Sequence, residues 1–95
     1  MPTFSYDFKK DWANEERHGI SLAEARGLWD VTHVVIPAKN VKGESRWAIL
    51  GRMEGKLFAA IFTERNAVIR IISCHRVDGK WEEIYETHVQ KREIH

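Results

Sequence analysis

Residues 67–76 read Ala-Val-Ile-Arg-Ile-Ile-Ser-Cys-His-Arg. This is the most strand-like run in the chain, and it sets Arg70 inside an apolar β segment. A guanidinium there must be paired or put to use, because a buried charge left alone is costly. Around this run the chain reads as a meander. Ser45 to Met53 and Lys56 to Glu64 are two strands joined by a Glu54-Gly55 hairpin. A further turn at Arg65-Asn66 leads into the focal strand, and Asp78-Gly79 ends it.

Upstream, Thr3 to Tyr6 alternates as a short strand. Asp7 then caps a helix through about Arg17, with Phe8 and Trp12 four apart on one face and Gly19 as its left-handed stop. Ser21-Leu-Ala-Glu24 is a capping box that opens a short second helix, with Leu22, Ala25, Leu28 and Trp29 as its buried stripe. Val31 to Ile36 is β-branched and broken by Pro37, which suits a strand near a sheet edge, and residues 38–44 read as a polar loop. From Lys80 to about Lys91, Trp81, Ile84, Tyr85, His88 and Val89 recur at helical spacing. The expected fold class is α+β: β-α-α-β, a three-stranded antiparallel meander and a C-terminal helix, as one domain over residues 1–95.

Ninety-five residues suffice for one core and not two. With 43% apolar and 31% charged residues the composition is that of an ordinary globular domain, not a disordered chain. A single cysteine, Cys74, excludes an internal disulfide framework and suits a reducing compartment. There is no apolar run of bilayer length and no charged-then-apolar leader, so the expectation is a cytoplasmic protein without membrane association. The net charge of +1 is too small to identify a polyanion binder by itself. Any phosphate site has to come from how the charges are distributed.

Strand alternation sorts them by face. With two-residue turns, Ile49 falls opposite Ala60 and Ile61 opposite Arg70. One face then carries Trp47, Ile49, Phe58, Ala60, Phe62, Ile69 and Ile71, a core face for the first two helices to cover. The other carries Arg46, Ala48, Leu50 and Arg52, then Leu57, Ala59, Ile61 and Thr63, then Val68, Arg70, Ile72, Cys74 and Arg76. Arg46 lies one row from Arg70, so two guanidinium forks converge on one anion, a geometry that matches phosphate. Arg70 and Arg76 are about 20 Å apart at strand rise, which points to a groove for several nucleotides. The competing reading makes these arginines ordinary surface charges paired with Glu64, Glu82 or Glu83.

Several stretches together resemble the BrnT family of type II toxins, ribonucleases with a RelE-like fold. They are Phe4-Ser-Tyr6-Asp7, Lys10, Asn14, Arg17-His18-Gly19-Ile20-Ser21 and Glu24-Ala25, followed by Glu44-Ser-Arg46-Trp47 and Gly51. Phe62-Thr-Glu64-Arg65, Ile69-Arg70-Ile-Ile-Ser73, Arg76 and Tyr85-Glu86 complete the match. Two departures stand out: Cys74-His75 replaces the family's Ala-Arg, and a glutamate expected before the terminal tyrosine is replaced around Trp81. The resemblance implies RNA as substrate. It also implies a BrnA-like antitoxin with a ribbon-helix-helix part, held in a hetero-oligomer with the toxin.

Such cleavage needs a base for the ribose 2′-OH, an acid for the leaving oxygen, and cations for the phosphorane. Arg70 is the candidate charge stabiliser, flanked by Arg46 and Arg65, with Arg76 further along the strand. His18 or His75 would move protons near neutral pH. Alternation puts His75 on the core side, however, and His18 at a helix C-terminus also suits the helix dipole alone. Glu64 is a candidate base or arginine orienter, and Arg17 and Tyr85 join Arg46 as candidate substrate contacts. No cofactor is expected. His88 and His95 lack zinc-site spacing, and Cys74 and His75, as strand neighbours, point to opposite faces and make no nucleophilic dyad. The second function class is a non-catalytic interaction module on the same fold.

Overall fold

The computed structural model describes residues 2–93. Strand β1 (Thr3–Ser5) leads to helix α1 (Phe8–His18) and short helix α2 (Leu22–Ala25), which runs on as a 3-10 turn over Arg26–Asp30. Strands β2 (His33–Val41), β3 (Glu44–Met53), β4 (Lys56–Arg65) and β5 (Val68–Arg76) follow, then helix α3 (Lys80–Glu93). The sheet has five strands in the order β1-β5-β4-β3-β2. β2 to β5 are antiparallel, and β1 runs parallel to the start of β5, with Ser5 opposite Arg70. This is the expected α+β architecture, and Ile49 does sit opposite Ala60.

The helix signals work as read. Asp7 accepts from the Lys9 and Lys10 amides, Gly19 closes α1 in the left-handed region, and Ser21 and Glu24 form a reciprocal capping box. α2 and the 3-10 turn bury Leu22, Ala25 and Leu28 against Ile49, Phe62 and Ile71 on one face of the sheet.

Four local expectations need correction. First, β2 does not stop at Pro37. The proline pairs with Trp47 on an edge strand, where its missing N–H costs nothing, and residues 38–41 stay extended past an irregularity before a Lys42-Gly43 turn. Second, the β4–β5 turn is Asn66-Ala67, both at positive φ, so Thr63 pairs with Arg70. Ile61 faces Ser73, because Ile72 is an extra, bulged residue. The bulge reverses the alternation beyond it. Cys74 therefore enters the core beside Ala60, and His75 comes opposite Ala59 on the other face.

Third, Phe8 and Trp12 point outward, 84% and 65% exposed. The buried residue of α1 is Asn14. β5 outruns β1, so its outer edge needs partners for its backbone groups. The Asn14 amide supplies them, donating to the Cys74 carbonyl at 2.7 Å and accepting from the Cys74 N–H at 3.2 Å. It also donates to the Ile20 carbonyl at 2.7 Å. The helix seals an edge, and an edge requires an amide where a sheet face would require an apolar stripe.

Fourth, the second face of the sheet is not open along its length. α3 covers part of it, building another core from Val34, Ala48, Leu50, Leu57, Ala59, Val77 and Tyr85. Apolar residues between the arginines had to be covered by something, and the apolar stripe of α3 does so. His95, considered above with His88, lies outside the described residues.

Candidate active site

The arginine-bearing face divides at the border of α3. At one end, Arg52 donates to Glu82 at 2.6 Å and to Glu86 at 2.8 Å, and lies 5.5 Å over the Tyr85 ring. Glu86 first and Glu82 second hold its proton more tightly than usual. Tyr85 is buried and donates its hydroxyl to the Thr32 carbonyl at 3.2 Å, which leaves it no free ring face for a base. It is a core residue, which corrects its candidacy as a substrate contact.

At the other end Arg46, Arg65 and Arg70 line one hollow of about 120 Å³ with Asp7 and Lys10. The cross-strand row explains this meeting. Arg70 pairs with Thr63, and Arg46 is the residue beside Trp47, whose partner is Phe62. Arg65 closes β4 one turn from Arg70. The parallel pairing of Ser5 with Arg70 then brings the first turn of α1 alongside. Asp7 is held below the usual carboxylate range chiefly by the Lys10 amide, then the Lys9 amide, with a smaller contribution from Arg70.

Glu44 is the other anion at this end. It accepts from Arg65 at 2.9 Å and stands 3.5 Å from Arg46 Nε. That nitrogen is buried without a hydrogen-bond partner. An ion-paired donor that is not hydrogen-bonded favours arrival of an acceptor. Four cations thus face two carboxylates, one of them committed to a helix cap. The balance is positive.

A second hollow, of about 360 Å³, continues along α1 past Asn14 to Arg17, His18 and Ser73. Lys10 and Ile72 line both hollows, so they form one groove between α1 and β5. At its far end the rings of His18 and His75 lie 5.6 Å apart. Burial first, and then the His18 charge, push the His75 imidazole below its ordinary value. The bulge at Ile72 brings His75 out of the core side that regular alternation assigned to it.

Other candidates fall elsewhere. Glu64 lines a separate cleft with Trp29 and Trp47. Arg76 pairs with Phe58 at the far end of β5, on the α2 side of the sheet. The buried Cys74 thiol is pushed up to about 12, by burial and then by Glu24, which makes it a poor nucleophile. Among the described residues no cluster of three or more His, Cys, Asp and Glu could hold a metal ion, and no helix is long and apolar enough to cross a membrane. Lys10 was not among the expected site residues. Its signal was present in Lys10, Asn14 and Arg17, a polar stripe at helical spacing.

No curated protein matches the chain. A family model described as "Ribonuclease toxin, BrnT, of type II toxin-antitoxin system" matches residues 6–80, which takes in the N-cap Asp7 and Lys10 of α1, Arg46 of β3, and all of β4 and β5. This match spans most of the chain, and the chain belongs to the BrnT family of ribonuclease toxins of type II toxin-antitoxin systems.

Proposed function

We propose that RNA lies in the groove between α1 and β5 and is cut at the far end of that groove, between His18 and His75, while the neighbouring phosphates rest over Lys10 and the arginines. The observation that carries this reading is the sharing of Lys10 and Ile72 by both hollows. A phosphate held over Lys10 has Arg70 on one side, with Arg17 and His18 further along the groove towards the cut. Helix rise puts His18 about 12 Å beyond Lys10, so the groove spans more than one nucleotide. The ribose 2′-OH attacks the adjacent phosphorus, His75 accepts the hydroxyl proton, and the bond from phosphorus to the 5′ oxygen breaks. His18 returns a proton to that oxygen, leaving a 2′,3′-cyclic phosphate and a 5′-hydroxyl. A charge on His18 disfavours a second charge on His75, which suits one as acid and the other as base.

Arg17, which lines the hollow with His18, offsets the charge that builds on the phosphorane, and Lys10, Arg70, Arg46 and Arg65 bind the flanking phosphates. No step is assigned to a metal. The antitoxin in this reading is BrnA-like, with a ribbon-helix-helix part, and the setting is cytoplasmic. The test is incubation of the purified chain with a defined RNA. Fragments ending in cyclic phosphate, strongly reduced with Arg70→Ala, are the expected result. Intact RNA under wild-type protein would favour the non-catalytic interaction module instead.

A further inference from the structure

Glu44 belongs to two sites. Its carboxylate is the counter-ion of Arg65 and Arg46, and it also lines a cleft of about 650 Å³ on the opposite side of the sheet end. The other walls of that cleft include Trp29, Val35, Trp47, Phe62 and Glu64. Trp29 packs edge-on against Phe62 at 5.1 Å, a fixed aromatic corner, while Trp47 and Val35 remain 38% and 42% exposed. The lining carries two carboxylates and no cation. A phosphate is therefore repelled, whereas a flat, uncharged ring with hydrogen-bond donors on its edge is favoured.

We propose that this cleft receives a base of the RNA strand whose phosphate rests on Arg46 and Arg65, and that it selects guanine. The proposal rests on the reading of the arginine groove as the RNA site, since Glu44 is what joins the two. Stacking on Trp47 is open to any base. The edge decides. A carboxylate only accepts, and guanine presents its ring N–H and its amino group side by side, two donors for two oxygens. Adenine and cytosine set an acceptor nitrogen next to their amino group, which faces a carboxylate lone pair unfavourably. Uracil offers one N–H between two carbonyls. Glu64, exposed on the strand end, is the reader, because Glu44 is already engaged by arginine.

The test titrates the intact protein with GMP, AMP, CMP and UMP and follows tryptophan fluorescence, then maps cut sites in a mixed-sequence RNA. GMP should bind at least tenfold tighter than the other three. Trp47→Ala should weaken GMP roughly ten- to hundredfold, and Glu64→Gln, an exposed change that leaves the core intact, should level the four affinities. Wild-type cuts should cluster at a fixed short distance from guanine and spread in both variants. Equal or undetectable binding of all four nucleotides, with RNA still cut, overturns the guanine pocket and leaves the groove standing. So does a Trp47→Ala effect confined to antitoxin binding, which would make the cleft a protein-docking surface. If wild-type RNA stays intact while GMP still binds selectively, the cleavage reading fails and the pocket survives.

Discussion

Two arginine sites share one face of the same sheet, and their surroundings give them opposite fates. Arg52 sits where α3 crosses β3 and meets two carboxylates of that helix, Glu82 and Glu86. Arg46, Arg65 and Arg70 sit beyond the part of the face that α3 covers, with Lys10 beside them and Asp7 and Glu44 as the counter-charges. The side chain is identical in both places. What differs is the ratio of carboxylates to guanidinium groups, two to one at Arg52 and below one in the cluster. A saturated arginine holds a helix to a sheet. An unsaturated cluster attracts a polyanion.

The sharpest way to break this contrast is to remove one arginine from each site. Arg70→Ala should lower RNA cleavage by about 10–10²-fold, the scale for a charge-assisted hydrogen bond to a bound phosphate, with an unchanged far-UV circular dichroism spectrum. Arg52→Ala should leave the cleavage rate close to wild type. Equal losses in the two variants would mean that the cluster contributes general charge and no specific contact.

The groove wall sharpens the comparison next. Asn14→Ala removes the amide that pairs the Cys74 N–H and carbonyl and the Ile20 carbonyl. Buried backbone groups left unpaired should cost about 1–3 kcal/mol, or a Tm lower by roughly 4–8 °C for each kcal/mol in a domain of this size. α1 should loosen from β5, so RNA affinity should fall together with Tm. A Tm within a degree of wild type would show that water replaces the amide at no cost.

Proton linkage gives a smaller effect with a definite sign. His75 has its folded value below the ordinary histidine value of 6.5, through burial and then through His18. The unfolded chain therefore takes up this proton first as pH falls. Its stabilisation is complete above about pH 6.5 and is lost as pH drops towards the folded value. Tm measured from pH 8 to pH 5 should fall more steeply for wild type than for His75→Gln, and the acid limb of the cleavage profile should move in the variant. Parallel Tm curves would show that His75 carries no proton linkage to folding.

Much of this was legible in the sequence, and the misses have physical causes. The caps and one hairpin were readable because each is a local agreement between a residue and a backbone angle: Asp7, Gly19, Ser21 with Glu24, and Glu54-Gly55. The Lys42-Gly43 and Asn66-Ala67 turns put non-glycine residues at positive φ and were missed or misplaced by one residue. The Arg46–Arg70 meeting was readable because alternation holds from the hairpin up to Ile71. It fails at Ile72, where an inserted residue leaves no mark in composition and exchanges the sides of Cys74 and His75. The outward turn of Phe8 and Trp12 was hidden because helical period identifies a face without saying what the helix packs against. Here α1 meets a strand edge through Asn14. The covering of Arg52 was hidden for a related reason: periodicity gives α3 a buried stripe, but only the crossing direction brings Glu82 and Glu86 over β3.

That crossing gives the smallest expected effect and the most demanding test of the contrast. The Arg52 side chain is 35% exposed and its glutamates nearly half exposed, so solvent screens much of the attraction. Despite two short contacts, Arg52→Ala should lower stability by only about 0.2–1 kcal/mol, part of it from the arginine stem lost over Tyr85. Arg52→Met keeps that stem and removes the charge, so it separates the two contributions. If the pair matters electrostatically, urea midpoints for the wild type should move towards that of Arg52→Met as salt is raised, and RNA cleavage should stay level in both variants. If cleavage instead falls with Arg52→Met, the α3 border and the open cluster act as one electrostatic field, and the division of this face into a structural end and a binding end does not hold.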